Sequence, residues 1–406
     1  MRSAYKTADV GLLTADGRRF GGLREPPEPA AIRTASEGTM TGQTEPTEPT
    51  GLVGPAAGWN RQSGSSGRSG SSRSSRSSRS SRSSRSSGWE GFTWQDWQDI
   101  EAIRRLLDRG ADPHGWGSGY VLHRAATYGS PEVVAELARR VSDVDARESD
   151  GSTALWNAVM ARRPDNARAL AAAGADPWRP LMGGWSPGRL ALAGPTPDLF
   201  PLPEGEPGLT ERERAAAQEG NRLVKALGTL HEDGIGLACV AGIDAEEAIR
   251  RLEATPADAE FLAEVMEAPY DYDLDETLNF VGVTTVPGGC IVTQPWGYAP
   301  SMPGLHTRLS RGTVSYGLYA NPKSGNQGSV TRDGVIEGSD LHPAGGPDPD
   351  STSEEVLANY LFHVGAVAYC CAYVGLRPTD PRAILGPPDH WVELPDRDYW
   401  THTPAG

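Results

Sequence analysis

The sequence predicts a short α-solenoid followed by an α+β domain with a mostly antiparallel sheet, both preceded by a disordered leader. Three observations carry this prediction. Similar helix-turn-helix segments recur every 33 residues between residues 103 and 193, and a fixed period of that size marks stacked repeats. Beyond residue 208, short apolar runs punctuated by Gly-rich turns stand apart from helical runs, the pattern of hairpins with segregated helices. Residues 61–87 contain Arg73, Arg76, Arg79, Arg82 and Arg85, each followed by Ser-Ser, with no acidic or apolar residue. Such a composition cannot offset the entropy lost on folding.

Composition sets the limits. A length of 406 residues suggests two or three domains. With 49 Gly, 33 Pro and 37% hydrophobic residues, the whole chain is neither a single packed globule nor a membrane bundle. The net charge of −15 hides an asymmetry: residues 1–88 hold 13 basic and 7 acidic residues, and the rest 25 basic and 46 acidic. A basic tail precedes an acidic body. The Arg-Ser tract reads as a solvated linker, with a weak, salt-sensitive nucleic-acid arm or a multi-Ser phosphorylation target as alternatives, since no aromatic residue is interleaved to stack on bases. The excess of 35 Arg over 3 Lys, with abundant Ala, Gly and Pro, reads as bacterial coding bias. Cys239, Cys290, Cys370 and Cys371 lack the spacing of a disulfide framework, and Asp9, Gly11 and Asp16 interrupt any apolar signal stretch. A cytoplasmic location is therefore expected.

Order is expected from Trp89. Ile103, Leu106-Leu107 and the turn Gly110-Ala111-Asp112-Pro113 form the second half of a first unit. Leu122-His123-Arg124-Ala125-Ala126, Gly129, Val133-Val134 and Leu137 form the next. Thr153-Ala154-Leu155-Trp156 opens a third, closed by Leu170 and Gly174-Ala175-Asp176-Pro177. Ser186-Pro187 and Ala191 open a truncated last one. The pattern resembles the ankyrin-repeat family over residues 98–194, with Arg162 and Val141 standing where that family prefers Gly and Trp156 replacing His. The resemblance implies pairs of short helices whose apolar sides are covered only by neighbouring units. It implies that His123 is a structural histidine bonding turn backbone. It also implies a protein partner, contacted by Trp116, Tyr128, Ser149, Asp150, Met160, Met182 and Trp185. Trp116 and Trp185 have a second reading, in which they cover the ends of the solenoid.

Residues 89–194 thus form the array, 195–207 a Pro-rich linker, and 208–400 the α+β domain. Five Pro within 195–207 deny backbone donors, so each side is expected to close on itself. Thr210 and Glu213 form a capping box for a helix carrying Leu223, Leu227 and Leu230. Residues 235–240 read as a strand, and Asp244 caps a helix over 245–253 with Ala248, Ile249 and Leu252 inward. Residues 280–286 and 290–294 form a hairpin, 313–320 a strand, and Asp333-Gly334 the turn of another hairpin. Residues 354–376 read as one long buried core helix, in preference to a membrane span, because Asn359, His363 and three Tyr interrupt its apolar run. Cys370 and Cys371 on it are expected to be inert. Residues 230–394 resemble an uncharacterised actinobacterial domain family, which implies a domain and no chemistry.

No phosphate-binding loop, nucleophile elbow, Cys-x-x-Cys or His-Glu-x-x-His motif occurs. Asp271, Asp273 and Asp275 imitate a calcium loop, but Glu276 and Gly282 stand where that loop needs Gly and Glu. A Cys290-His306 dyad has no spacing argument behind it. Trp296, Tyr298, Tyr316 and Tyr319 read as core in preference to a ligand cage. No cofactor or metal is expected. The function expected is therefore non-enzymatic protein binding, in an antidote or adaptor role; the alternatives are a hydrolase in the α+β domain and weak nucleic-acid binding through the Arg-Ser tract.

Overall fold

The computed structural model describes residues 12–13, 19–20 and 88–400, apart from 90, 91, 93, 116–119, 229, 231–233, 269, 270, 273, 322–324 and 364. The leader with its Arg-Ser tract lies outside the described residues, except that β1 (Leu12–Leu13) and β2 (Arg19–Phe20) pair antiparallel. All the described residues fall in one compact unit.

The helical hairpins follow the sequence period. After α1 (Ile100–Asp108) come α2 (Val121–Tyr128) and α3 (Pro131–Ala138), then α4 (Ala154–Met160) and α5 (Pro164–Ala172), then α6 (Pro187–Ala193). Local chemistry sets each start. Asp99, Ser130, Thr153 and Ser186 each accept a hydrogen bond from a first-turn backbone N–H, and Pro opens α3, α5 and α6, where its missing N–H costs nothing. Gly110 and Gly174, at the ends of α1 and α5, adopt φ of +95° and +100°, a conformation that only Gly enters without strain. Helices of seven to nine residues are marginal alone. They are held by the apolar faces they share, in which Val121, Ala125, Val133, Leu137, Leu155 and Leu170 are buried.

The remainder is a three-layer α+β fold. From α7 (Glu211–Leu227) the chain enters β3 (Gly236–Ala241), α8 (Ala245–Leu252), β4 (Thr255–Pro256), α9 (Ala259–Glu267) and α10 (Leu274–Thr277). It continues through β5 (Phe280–Val286), β6 (Gly289–Gln294), α11 (Pro303–Leu309), β7 (Val314–Asn321), β8 (Gly325–Arg332) and β9 (Val335–Leu341). It ends with α12 (Ser353–Phe362), α13 (Ala366–Val374), α14 (Arg382–Leu385) and β10 (His390–Glu393). The eight strands lie in the order β4-β10-β5-β6-β3-β7-β8-β9, with every pairing antiparallel. Alternation along β3 divides its side chains between two cores: Leu237 and Cys239 join the core that holds α12 and α13, while Ala238 and Val240 join that of α8 and α11.

The expected single helix over 354–376 is two helices. Gly365 is extended, with φ −163° and ψ 98°, and α13 starts anew after it. Among the described residues no helix is long and apolar enough to cross a membrane. The stretch 195–207 also departs from expectation. Leu199 and Phe200 are buried, and one apolar core runs from Trp97 and Leu155 through Trp185, Tyr360 and Cys371 to Tyr316 and Leu318 of the sheet. The two sides therefore do not close separately, because the last helical unit ends on α6 and its uncovered side is packed against α12.

Candidate functional site

Successive turns of the helical array project a row of polar tips. Asp112, Asp143, Arg147, Ser149, Asp150, Asp176 and Arg179 are exposed. Asp150 Oδ1 accepts from the backbone N–H of Ser152 at 2.9 Å and from its hydroxyl at 2.7 Å, which fixes that turn locally. Asp145 ties one tip to the next by accepting from the Asp176 N–H at 3.2 Å, and burial is the main cause that pushes its carboxyl above the usual range. Tyr128, at the end of α2, is 44% exposed.

Behind the tips the histidine does what the repeat requires. His123 is buried and its Nε2 lies 3.3 Å from the Ser152 carbonyl, 29 residues along. Burial lowers its pKa, and the nearby Glu148 carboxylate opposes that shift. Two further ties between units carried no family signal. Asn166 is buried, and its Nδ2 donates to the carbonyls of Ala126 at 2.9 Å and Gly129 at 3.0 Å. Glu136, also buried, holds Arg139 and Arg140 just past the end of its helix and faces Arg104 of the preceding unit. An amide in the core of a repeat is a polar residue at an apolar position of the 33-residue register, and that mismatch is the one sign of it in the sequence.

Residues 95–180 match the family model for ankyrin repeats, in three copies. No curated protein matches the chain. The ankyrin repeats carry the expectation of a protein partner, and the structure sorts the residues assigned to it. Tyr128, Ser149 and Asp150 stand on the surface, whereas Trp116 lies outside the described residues. Met160, Met182 and Trp185 are buried, at 6%, 4% and 0% exposure, and their assignment as partner contacts is corrected. What covers the end of the array is the chain itself.

Helix α12 lies parallel beside α6. At one end Trp185 Nε1 donates to both the carbonyl and the hydroxyl of Ser353 at 2.9 Å, and a side chain at Gly183 would come within 3.0–3.1 Å of Thr352, Ser353 and Val356, closer than van der Waals contact. At the other end a methyl on Gly194 would overlap the Tyr360 hydroxyl. Arg162, at the end of α4, donates from Nη2 to the Leu361 carbonyl at 2.8 Å. Burial of these groups lowers the Arg162 pKa and pushes Tyr360 up to about 12. Arg189 then closes the array onto α7: its guanidinium lies 4.3 Å above the Trp185 ring and takes both Glu213 oxygens at 2.7 and 2.8 Å. Glu213 is itself half of the capping box that starts α7.

In the α+β domain the Cys290-His306 pairing does not form. Cys290 and Ser315 flank Val240 from opposite neighbouring strands, two strand spacings or about 10 Å apart, and His306 Nδ1 is bonded to the Ser315 hydroxyl at 2.8 Å. Burial pushes the Cys290 thiol up to about 12, far from a thiolate. Cys239 and Cys371 lie 3.8 Å apart, Sγ to Sγ, in the core. Of the acidic run, Asp271 is exposed and Asp273 lies outside the described residues; among the described residues no group of His, Cys, Asp or Glu is placed to hold a metal.

His306 gives a prediction in pH. Burial holds its folded-state pKa down to about 4, against 6.5 ordinarily. Between those values the unfolded chain binds a proton that the folded chain does not, so stability present above pH 6.5 is lost as pH falls towards 4. The loss approaches about 3 kcal/mol at the acid end. Urea unfolding of the wild type and His306→Gln across this range checks it, and the variant is expected to show a flatter profile; parallel profiles would refute the assignment.

Proposed function

We propose that this chain is a protein-binding protein whose ankyrin array offers one part of its surface to another protein and uses the other part to hold its own α+β domain. The observation that carries the reading is the row of exposed tips that includes Ser149 and Asp150, with Arg124 and Tyr128 exposed on α2, in an array whose last helix is already covered by α12. Ankyrin repeats generally mediate protein–protein interaction, and a partly exposed Tyr is the kind of residue that anchors such interfaces. The excess of acidic residues in 89–406 suits a basic partner, drawn in by long-range attraction. We place the role between that of an antidote, which occupies a basic protein toxin, and that of an adaptor in a bacterial cytoplasm.

Affinity capture from the cells that make the protein, run in parallel with the full chain and with a Tyr128→Ala, Asp150→Lys double variant, tests the reading. The expected result is a basic partner retained by the wild type and depleted about tenfold by the variant, with a melting temperature lowered only by the loss of the two Asp150–Ser152 bonds in one surface turn. Equal retention by both chains would refute it.

A further inference from the structure

On the face of β7 opposite Tyr316, the strands β7, β8 and β9 floor an open cleft of about 520 Å³. The volume is that of a small-ligand site. Its walls are aromatic: the Tyr298 ring lies 5.7 Å from Tyr319 and 5.6 Å from Trp400, centroid to centroid, at interplanar angles of 68° and 39°. Trp400 is 59% exposed, more than any other large hydrophobic among the described residues except Val335. Its ring borders a concavity instead of filling a core. The expectation that the aromatic run is core thus holds for Trp296, stacked on Trp391, and for Tyr316, packed on Tyr369 and Tyr373. Tyr298 packs on the core from its edge and Tyr319 is half-buried, and both also line the cleft.

The polar groups narrow the chemistry. Ser301, Gln327, Ser329 and Ser339 bring hydroxyls and one amide into the cleft, and its described lining contains no Arg, Lys, His, Asp or Glu. A phosphate, carboxylate or ammonium group entering it would lose water without gaining a counter-charge. The ligand is therefore uncharged and able both to donate and to accept hydrogen bonds. The rings are tilted and do not form two parallel plates, so they cannot sandwich a flat heterocycle. They offer separate faces to the C–H surface of a puckered ring.

The site is also held in advance. Gln294, fully buried, donates from Nε2 to the carbonyls of Thr277, Leu278 and Phe280 at 2.9 to 3.1 Å and accepts from the Ala299 N–H at 3.0 Å. This fixes the 297–299 turn that carries Tyr298. Beside the cleft, on the same face of the sheet, the buried His306 ring lies against Gly317 and is bonded to Ser315, leaving no room for a side chain at 317. Rigid support of this kind lowers the entropy lost on binding.

We propose that the cleft between β7–β9 and Trp400 binds an uncharged saccharide, its ring faces against Tyr298, Tyr319 and Trp400 and its hydroxyls on the serines and Gln327. The full chain is applied to a microarray of neutral hexose and N-acetylhexosamine oligosaccharides alongside uronic, sialylated and sulfated ones, and the best neutral hit is titrated by tryptophan fluorescence. The expected result is retention on neutral oligosaccharides, weakened about tenfold in Trp400→Ala and abolished in Ser339→Trp, which fills the cleft, with melting temperatures unchanged. If Trp400→Ala proves unstable, the Ser339→Trp result decides. No neutral saccharide retained, a preference for the charged ones, or unchanged affinity in Ser339→Trp would each overturn the proposal.

Discussion

Trp185→Ala is expected to destabilise the whole unit by about 3–5 kcal/mol, the range for emptying a buried aromatic site. The ring is fully buried, donates to two acceptors on Ser353, and carries the Arg189 guanidinium on its face. Removing it opens a cavity between the array and α12 and leaves Arg189 held only by Glu213. Because a domain is stable by only about 5–15 kcal/mol, this is a large fraction of the total. Trp185→Phe keeps most of the apolar area and loses the hydrogen bonds to Ser353, so a smaller loss of about 1–3 kcal/mol is expected. Denaturant unfolding read by circular dichroism checks both. A loss below about 0.5 kcal/mol for the alanine variant, the scale of a surface substitution, would refute the packing of α6 against α12.

The contrast between Trp185 and His123 explains how far the sequence can be read. Elements fixed by neighbours in the chain were legible: the helix starts at Thr153, Ser186 and Thr210, the Asp244 cap, the hairpin at Pro287-Gly288 and the bond from His123 to the Ser152 turn each depend on residues fewer than about 35 apart. The destination of Trp185 was not, because its partner Ser353 lies 168 residues away and nothing local announces it. The resemblance assigned Trp185 to a contact position, but could not distinguish a partner's surface from the chain's own. In the fold it lies buried between the array and α12, bonded to Ser353.

Arg162 shows the same limit from the other side. It stands at a position where the repeat prefers Gly, and it does adopt φ +53°, at a cost of about 1–2 kcal/mol for a side chain in that region. In the sequence it stands only as a departure from the family pattern. In the fold its guanidinium reaches the Leu361 carbonyl, so the departure serves the contact with α12. The strands β4 and β10 and the cleft beside Trp400 were illegible for a related reason. Two- and four-residue strands carry too little alternation to read, and a cleft forms only when β7–β9, the 297–299 turn and the chain end meet.

Cutting the chain at Gly205 is expected to have the largest effect of all, and to show it only once the pieces are parted. Gly205 is exposed, with φ +87° and open space around it, so an inserted protease site there should be cleaved without disturbing the fold. The two pieces are then expected to elute together and melt in one transition, held by Trp185 on Ser353, Arg162 on Leu361, Tyr360 against Gly194 and Arg189 on Glu213. Once they are separated in denaturant and refolded apart, the array piece exposes Met182, Trp185 and Leu190, all buried in the intact chain. It retains only short helices without a cover for the last of them, and a repeat stack is stabilised by its interfaces more than by its units. Loss of the near-ultraviolet dichroism of the array piece is therefore expected, with recovery when the second piece is added back in equal amount. An array piece that keeps its signal and melts within a few degrees of the intact protein would show instead that the ankyrin units are self-sufficient and that α12 merely rests on them.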